Sequence, residues 1–179
     1  IEVAVLVTSD KAYRNEEWQW GYRETDYLGG HDPYSGSKSC AELVAHSYFH
    51  SFLRDSPTRI ATARAGNVIG GGDWATDRIV PDCIRAWSMK ETVNVRRPES
   101  TRPWQHVLEP LSGCLWLGAQ LWNSCEHLDG EAFNFGPPPQ QDMTVADLLR
   151  TMAERWPGAG WQEVADSAVA DREATLLRL

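Results

Sequence analysis

Apolar and polar positions along the chain follow two periods. Residues 2–8 form a short apolar run rich in β-branched side chains that ends abruptly in Thr8-Ser9-Asp10-Lys11, a pattern that predicts a buried strand. A polar stretch rich in Trp, Gly and Asp follows, from about residue 15 to 33. From 34 to about 54, Ala41, Val44, Ala45, Tyr48, Phe49 and Phe52 recur at helical spacing, and Asp55-Ser56-Pro57 stops the predicted helix. Residues 58–68 read as a second strand, running into Gly66-Asn67 and the glycine run Gly70-Gly71-Gly72. Strand, long helix, strand is the crossover unit of a parallel α/β sheet. Beyond it the pattern predicts a helix over 78–89, a strand over 93–96 and a helix over 109–123 with Leu111, Leu115, Ala119 and Trp122 at near-helical spacing. A strand over 131–135 closes on Gly136 and three prolines. Thr144, with Asp147 three residues on, caps a last helix that holds Val145, Leu148, Leu149 and Met152.

The chain's 179 residues, 42% apolar and 23% charged, suffice for one sizeable domain or two small lobes around a real core. A formal charge of −8 argues against nucleic acid as a partner, so an anionic ligand has to be held by local arginines. No apolar stretch approaches the ~20 residues needed to cross a bilayer, which argues against a membrane protein, and no signal peptide is visible. Cys40, Cys83, Cys114 and Cys125 are widely spaced with no Cys-x-x-Cys, which predicts a reduced, cytoplasmic setting. His46 and His50 share a helix face as metal ligands do, but no third ligand accompanies them and no metal site is assigned.

The candidate chemistry begins at Tyr34-Ser-Gly-Ser-Lys38, where a phenol and an ammonium four residues apart lie on one helix face. A neighbouring cation favours the phenolate and so makes a tyrosine usable as a base. Tyr-x-x-x-Lys alone is a common pattern. It gains weight from Ser9-Asp10-Lys11, polar residues at the end of an apolar strand.

Ser9-Asp10-Lys11, Tyr34-x-x-x-Lys38, Arg64-Ala-Gly-Asn-Val68 and Arg102-Pro-Trp-Gln-His-Val107 occur in that order at suitable intervals. Together they resemble the extended short-chain dehydrogenase/reductase enzymes that act on nucleotide sugars. Within that group, Glu17-Trp-Gln-Trp-Gly-Tyr-Arg-Glu-Thr-Asp26, Leu28-Gly-Gly-His-Asp-Pro-Tyr34 and Gly66-Asn-Val-Ile-Gly-Gly-Gly-Asp-Trp74 are similar to the CDP-glucose 4,6-dehydratase family. The dTDP-glucose dehydratases carry Thr-Asp-Glu where this chain has Ser9-Asp10-Lys11.

The resemblance implies an α/β fold, with a partial Rossmann-like parallel sheet, helices, and a small mixed substrate-binding lobe. It divides the chain into 1–68, the C-terminal half of an NAD-binding domain, and 69–179, mainly a substrate-binding lobe with a returning strand near 131–135. Family members begin with a glycine-rich turn that holds the dinucleotide pyrophosphate. None stands near the start of this sequence, so the N-terminal dinucleotide half is expected to be missing from it. Gly70-x-Gly72-x-x-Ala75 fits that fingerprint as a literal pattern, but no clear helix starts at its last position, and it reads as a loop.

The implied reaction converts CDP-glucose to CDP-4-keto-6-deoxyglucose by NAD-mediated hydride transfer and loss of water. The resemblance places Tyr34 as base on the sugar 4-hydroxyl, with Lys38 beside it bonding the nicotinamide ribose, and Ser9 hydrogen-bonded to the same hydroxyl. Asp10 becomes the acid for the departing C6 hydroxyl, a role that requires a raised pKa. Lys11 becomes the group facing C5. Arg102 is matched to the pyrophosphate, Asn67 to the sugar or a phosphate oxygen, and Arg78 and Arg96 to the nucleotide. The helices over 34–54 and 109–123 imply a homodimer or higher homo-oligomer. A nucleotide-sugar 4-epimerase, or a non-catalytic fragment unable to hold NAD, stays open. Arg172 stands where relatives usually carry the histidine of a His-Glu-Ala segment.

Overall fold

Parallel pairing organises the chain. In the computed structural model, which describes residues 1–123, 126–138, 141, 143–164 and 175–179, the first apolar run is β1 (Val3–Val7). The helix α1 (Pro33–Tyr48) follows, extended by a π-helical turn at Phe49–Leu53, and leads into β2 (Arg59–Ala65). β1 and β2 pair in parallel with Val3 opposite Arg59, so α1 is the predicted crossover. Gly66-Asn67 breaks the second predicted strand, and β3 (Val68–Ile69) continues it as a separate piece. Next come α2 (Ile79–Ser88), β4 (Val93–Val95), β5 (Thr101–Arg102), β6 (Gln105–His106) and α3 (Leu108–Trp122). β7 (Ala132–Phe135) returns to pair in parallel with β2, giving the sheet order β1-β2-β7. β8 (Met143–Thr144), α4 (Val145–Ala153) and β9 (Trp161–Glu163) complete the described elements.

Two helix starts carry a side-chain cap. Asp32 caps α1, accepting from the Ser35 amide at 3.0 Å, and Pro33 takes the first helical position, where no N–H is needed. Thr144 and Asp147 cap α4 reciprocally, as predicted.

Of three apolar clusters among the described residues, two join the main elements. α3 packs Leu117 and Leu121 over Ala61, with Val3, Val5, Phe133 and Phe135 around them. Burial of each such leucine contributes about 1.5–3 kcal/mol. α3 approaches β7 at Gly113, where a Cβ would lie 2.2 Å from the Phe135 ring. The second cluster joins Cys83 and Trp87 of α2, Val93 and Val95 of β4, and Leu149 of α4.

One expectation changes. Residues 2–8 were expected to form a buried strand, but β1 is only half-buried and Val7 is 62% exposed, because β1 is the outer strand of the sheet. The apolar stripes of the two long helices face outward. Val44, Tyr48 and Phe52 are exposed, as are Leu111, Leu115 and Trp122, while α1 turns Ser35, Ser39 and Glu42 inward. The helix α1 docks through polar contacts instead: Ser39 donates to the Ala12 carbonyl at 2.8 Å, and Glu42 meets a buried arginine. Cys125 and Arg172 lie outside the described residues.

Candidate active site

The end of β1 builds the first part of the site. Thr8 prolongs the parallel pairing through its amide to the Ala63 carbonyl at 2.8 Å, and the chain then tightens into a 3-10 turn at Asp10–Ala12. Ser9 caps that turn. Its hydroxyl donates to Asp10 Oδ1 at 2.9 Å and accepts from the Lys11 amide at 3.2 Å. Asp10 is 3% exposed, and its Oδ2 has no hydrogen-bond partner among the described residues. Burial pushes its carboxyl above the usual carboxylate range, against the opposing pull of the Ser9 hydroxyl, Lys11 and Arg102. That is the direction an acid needs.

Lys11 is exposed on the same turn. Its charge acts on Asp10 on one side and on Asp32, the cap of α1, on the other. Hydrogen bonds from the Ser35 hydroxyl and amide, more than Lys11, hold the Asp32 carboxyl below its ordinary value. Tyr34 and Lys38 occupy the first two turns of α1, which packs against the Asp10–Ala12 turn. Lys38 Nζ stands 5.5 Å from the centre of the Tyr34 ring, and that ring is half exposed. The sequence motif is therefore an actual pair, open toward the C-terminal ends of the strands. Parallel sheets bind their ligands at that edge.

A second segment comes in from the far side. β3 pairs in parallel with β6, and the Asn67 carbonyl accepts the Gln105 amide at 2.9 Å, which sets Asn67 beside the Arg102–Gln105 stretch. Gly66 allows this approach, since a Cβ there would lie 2.5 Å from Pro103 Cγ and 3.1 Å from the Pro103 carbonyl oxygen. Gly66→Ala is expected to lower the melting temperature, because overpacking of this kind costs about 1–3 kcal/mol. Differential scanning fluorimetry of the complete protein checks it, and an unchanged melting curve refutes this packing.

Arg102, in β5, donates to the Thr101 carbonyl at 2.7 Å, and its charge reaches Asp10. Around it the Thr101 hydroxyl and the Trp104 indole N–H are buried without a partner among the described residues. Two buried groups without partners beside an arginine mark a place where a polar ligand fits. Trp104 was legible only as part of the Arg102-Pro-Trp motif, and Thr101 carried no signal of its own. Arg78 and Arg96 are exposed, at the start of α2 and just after β4, on elements of the second apolar cluster. Ser9, Asp10, Lys11, Tyr34 and Lys38 thus stand at the packed turn and helix start, with Arg102 acting on Asp10 and Asn67 beside the Arg102–Gln105 stretch, while Arg78 and Arg96 adjoin elements of the second apolar cluster.

The fingerprint-like run Gly70-x-Gly72-x-x-Ala75 is a turn followed by coil, with no helix before Ile79. His46 and His50 meet edge to face at 4.3 Å between ring centres, and no metal-binding group of side chains occurs among the described residues. None of the described helices is long and apolar enough to cross a membrane.

No family profile matches the chain. It is 44% identical, over its whole length, to CDP-glucose 4,6-dehydratase of Salmonella typhimurium, and it spans about half (51%) of that relative. Among solved structures, UDP-N-acetylglucosamine 4-epimerase from Methanobrevibacter ruminantium M1 superposes with a TM-score of 0.79 at 16% identity, covering 100% of this chain and 54% of that one. The dTDP-glucose 4,6-dehydratase DesIV of Streptomyces venezuelae, solved with NAD bound, gives 0.76 at 18% identity, covering 99% and 51%. The chain therefore has the fold of the extended short-chain dehydrogenase/reductase enzymes, and the resemblance to CDP-glucose 4,6-dehydratase carried by its motifs holds along its whole length.

Proposed function

We propose that this chain is the catalytic part of a nucleotide-sugar 4,6-dehydratase that converts CDP-glucose to CDP-4-keto-6-deoxyglucose. The observation that carries the reading is Asp10, a buried carboxyl displaced toward its protonated form, with one oxygen unpartnered among the described residues. A dehydration has to expel the C6 hydroxyl as water and so needs a proton donor. A 4-epimerisation does not.

The residues present fit NAD at the open edge, where the half-exposed Tyr34 phenol and the Lys38 ammonium stand together. When bound, NAD supplies the hydride acceptor and, later, the donor. Tyr34 takes the proton of the sugar 4-hydroxyl, and Lys38 steadies the resulting charge and bonds the ribose. Ser9 directs its proton to Asp10 in this structure. With Asp10 protonated, that proton is released to turn toward the sugar's 4-oxygen. Once C4 is a ketone the C5 hydrogen is acidic. Lys11 then faces C5, and Asp10 protonates the departing C6 hydroxyl.

Arg102 pairs with the pyrophosphate, Asn67 bonds the sugar or a phosphate oxygen, and Arg78 and Arg96 lie nearer the nucleotide. In this reading residues 1–68 belong to the NAD-binding domain and 69–179 to the substrate lobe, around the second apolar cluster. The outward Val44, Tyr48 and Phe52 of α1 and Leu111, Leu115 and Trp116 of α3 support a homodimer or larger assembly, and the setting is cytoplasmic.

The complete protein, given NAD and either CDP-glucose or dTDP-glucose, is expected to yield a product one water lighter from CDP-glucose by mass spectrometry. Loss of water from neither sugar sinks the reading. A product of unchanged mass and altered stereochemistry assigns a 4-epimerase instead.

A further inference from the structure

Beneath the site lies a buried charge network that the reaction scheme does not use. Arg64, in the middle of a parallel sheet, and Glu42, on the inner face of α1, are each 4% exposed in their side chains. Arg64 Nε lies 2.8 Å from both Glu42 oxygens, and Nη2 bonds Glu42 Oε2 as well. The Thr8 hydroxyl donates to Glu42 Oε1 at 2.5 Å. On the other side, Arg64 Nη1 donates to the Tyr13 hydroxyl at 2.5 Å and to the Glu24 carbonyl at 3.0 Å. Tyr13 donates in turn to Asn134 Oδ1 at 2.7 Å, and Asn134 stands opposite Arg64 in the register of β2 and β7. Burial raises the Tyr13 phenol above its ordinary value, so it stays a donor to Asn134.

The members of this network are spaced against the candidate catalytic groups. Thr8 immediately precedes Ser9. Glu42 lies one helical repeat beyond Lys38 and two beyond Tyr34, on the same helix. Because the apolar side of α1 faces outward, the contacts that seat its site end are Ser39 to Ala12 and Glu42 to Arg64 and Thr8. An apolar contact tolerates sliding, whereas a two-toothed guanidinium–carboxylate contact sets distance and angle together. Buried ion pairs add little net stability relative to well-packed apolar residues, so what this one supplies is geometry.

We propose that Glu42 and Arg64, with Thr8 and Tyr13, are positioning residues that hold Tyr34 and Lys38 in register with Ser9 and Asp10. The catalytic consequence rests on the dehydratase reading; the anchoring of α1 does not. The test uses the complete protein with two variants, the paired replacement Glu42→Leu/Arg64→Met, which leaves no unpaired buried charge, and the milder Thr8→Val. Hydrogen exchange is followed by mass spectrometry for residues 34–42, with 79–88 and 145–153 as internal references.

Both variants are expected to melt near the parent and to exchange faster over 34–42 alone, by about tenfold for Thr8→Val, which removes one bond to a charged group. For the paired replacement, kcat for CDP-glucose falls on the order of 10- to 100-fold while KM stays within about twofold, as misplacement of reacting groups predicts. If the paired variant does not fold, Thr8→Val decides the matter on the same readings. Unchanged exchange over 34–42 overturns the proposal, whatever the protein catalyses. Faster exchange with undiminished kcat overturns it too. Faster exchange in a protein whose parent form dehydrates no nucleotide sugar upholds the anchoring and defeats only the dehydratase reading.

Discussion

Tyr34→Phe is expected to halt the reaction before any water is lost. The substitution removes one oxygen and keeps the ring that lies 5.5 Å from Lys38 Nζ, so the helix start and its cation contact survive. Tyr34 is half exposed and its hydroxyl makes no hydrogen bond among the described residues, so stability should change by no more than about 0.5 kcal/mol. Loss of the base should lower kcat by about 10²- to 10⁴-fold. A single turnover of the complete protein, followed by the cofactor's absorbance, separates this step from elimination. A variant that still oxidises the sugar at the parent rate removes Tyr34 from the mechanism.

Asp10→Asn should divide the two halves of the reaction and, at the same time, stabilise the protein. Oxidation at C4 remains detectable, because Tyr34 is untouched. Elimination slows by about 10²- to 10⁴-fold, because an amide has no proton to give the C6 hydroxyl. Equal loss of both steps contradicts the role assigned to Asp10. The stability effect follows from burial. A carboxyl whose folded pKa lies above its ordinary 3.8 binds its proton more tightly in the folded state, so its contribution to stability is complete below 3.8 and is lost as pH rises through the raised value. Above that window the buried charge, with one oxygen unpartnered, is a cost that the neutral amide avoids. The melting temperature of Asp10→Asn should therefore exceed the parent's by a margin that widens as pH rises, at about 2–4 °C for each kcal/mol recovered. A margin that is constant with pH is incompatible with this account.

The elements of the fold were largely legible because their periods and punctuation are local. The capping pair Thr144 and Asp147, the Asp55-Ser56-Pro57 stop and the apolar run of β1 each act within a few residues. What was not legible is which way a helix faces. Val44, Tyr48 and Phe52 mark a helix by their spacing, but not the face it docks with; they are exposed, because the docking of α1 is decided by a charged partner 22 residues away in sequence. Arg64 near the end of a parallel strand was the available signal, since a buried guanidinium needs an anion. The site divides in the same way. Ser9, Asp10 and Lys11 share one turn, and Tyr34 and Lys38 share one helix, so spacing finds them. The partnerless Trp104 indole and Thr101 hydroxyl became visible only when β5 was set against β8 and the buried surroundings of Arg102 took shape.

The two faces of α1 are open to change on different terms. Its outer face, with Val44, Tyr48 and Phe52, is exposed and can be rewritten without breaking the contacts that seat the helix. Its inner face cannot be altered one residue at a time, because a single substitution at Glu42 or Arg64 strands a charge in the interior, a loss of about 3–5 kcal/mol. Variation on that face has to pass through paired substitutions. A sequence library built on this helix should therefore diversify its outer positions freely and treat Glu42 and Arg64 as one unit.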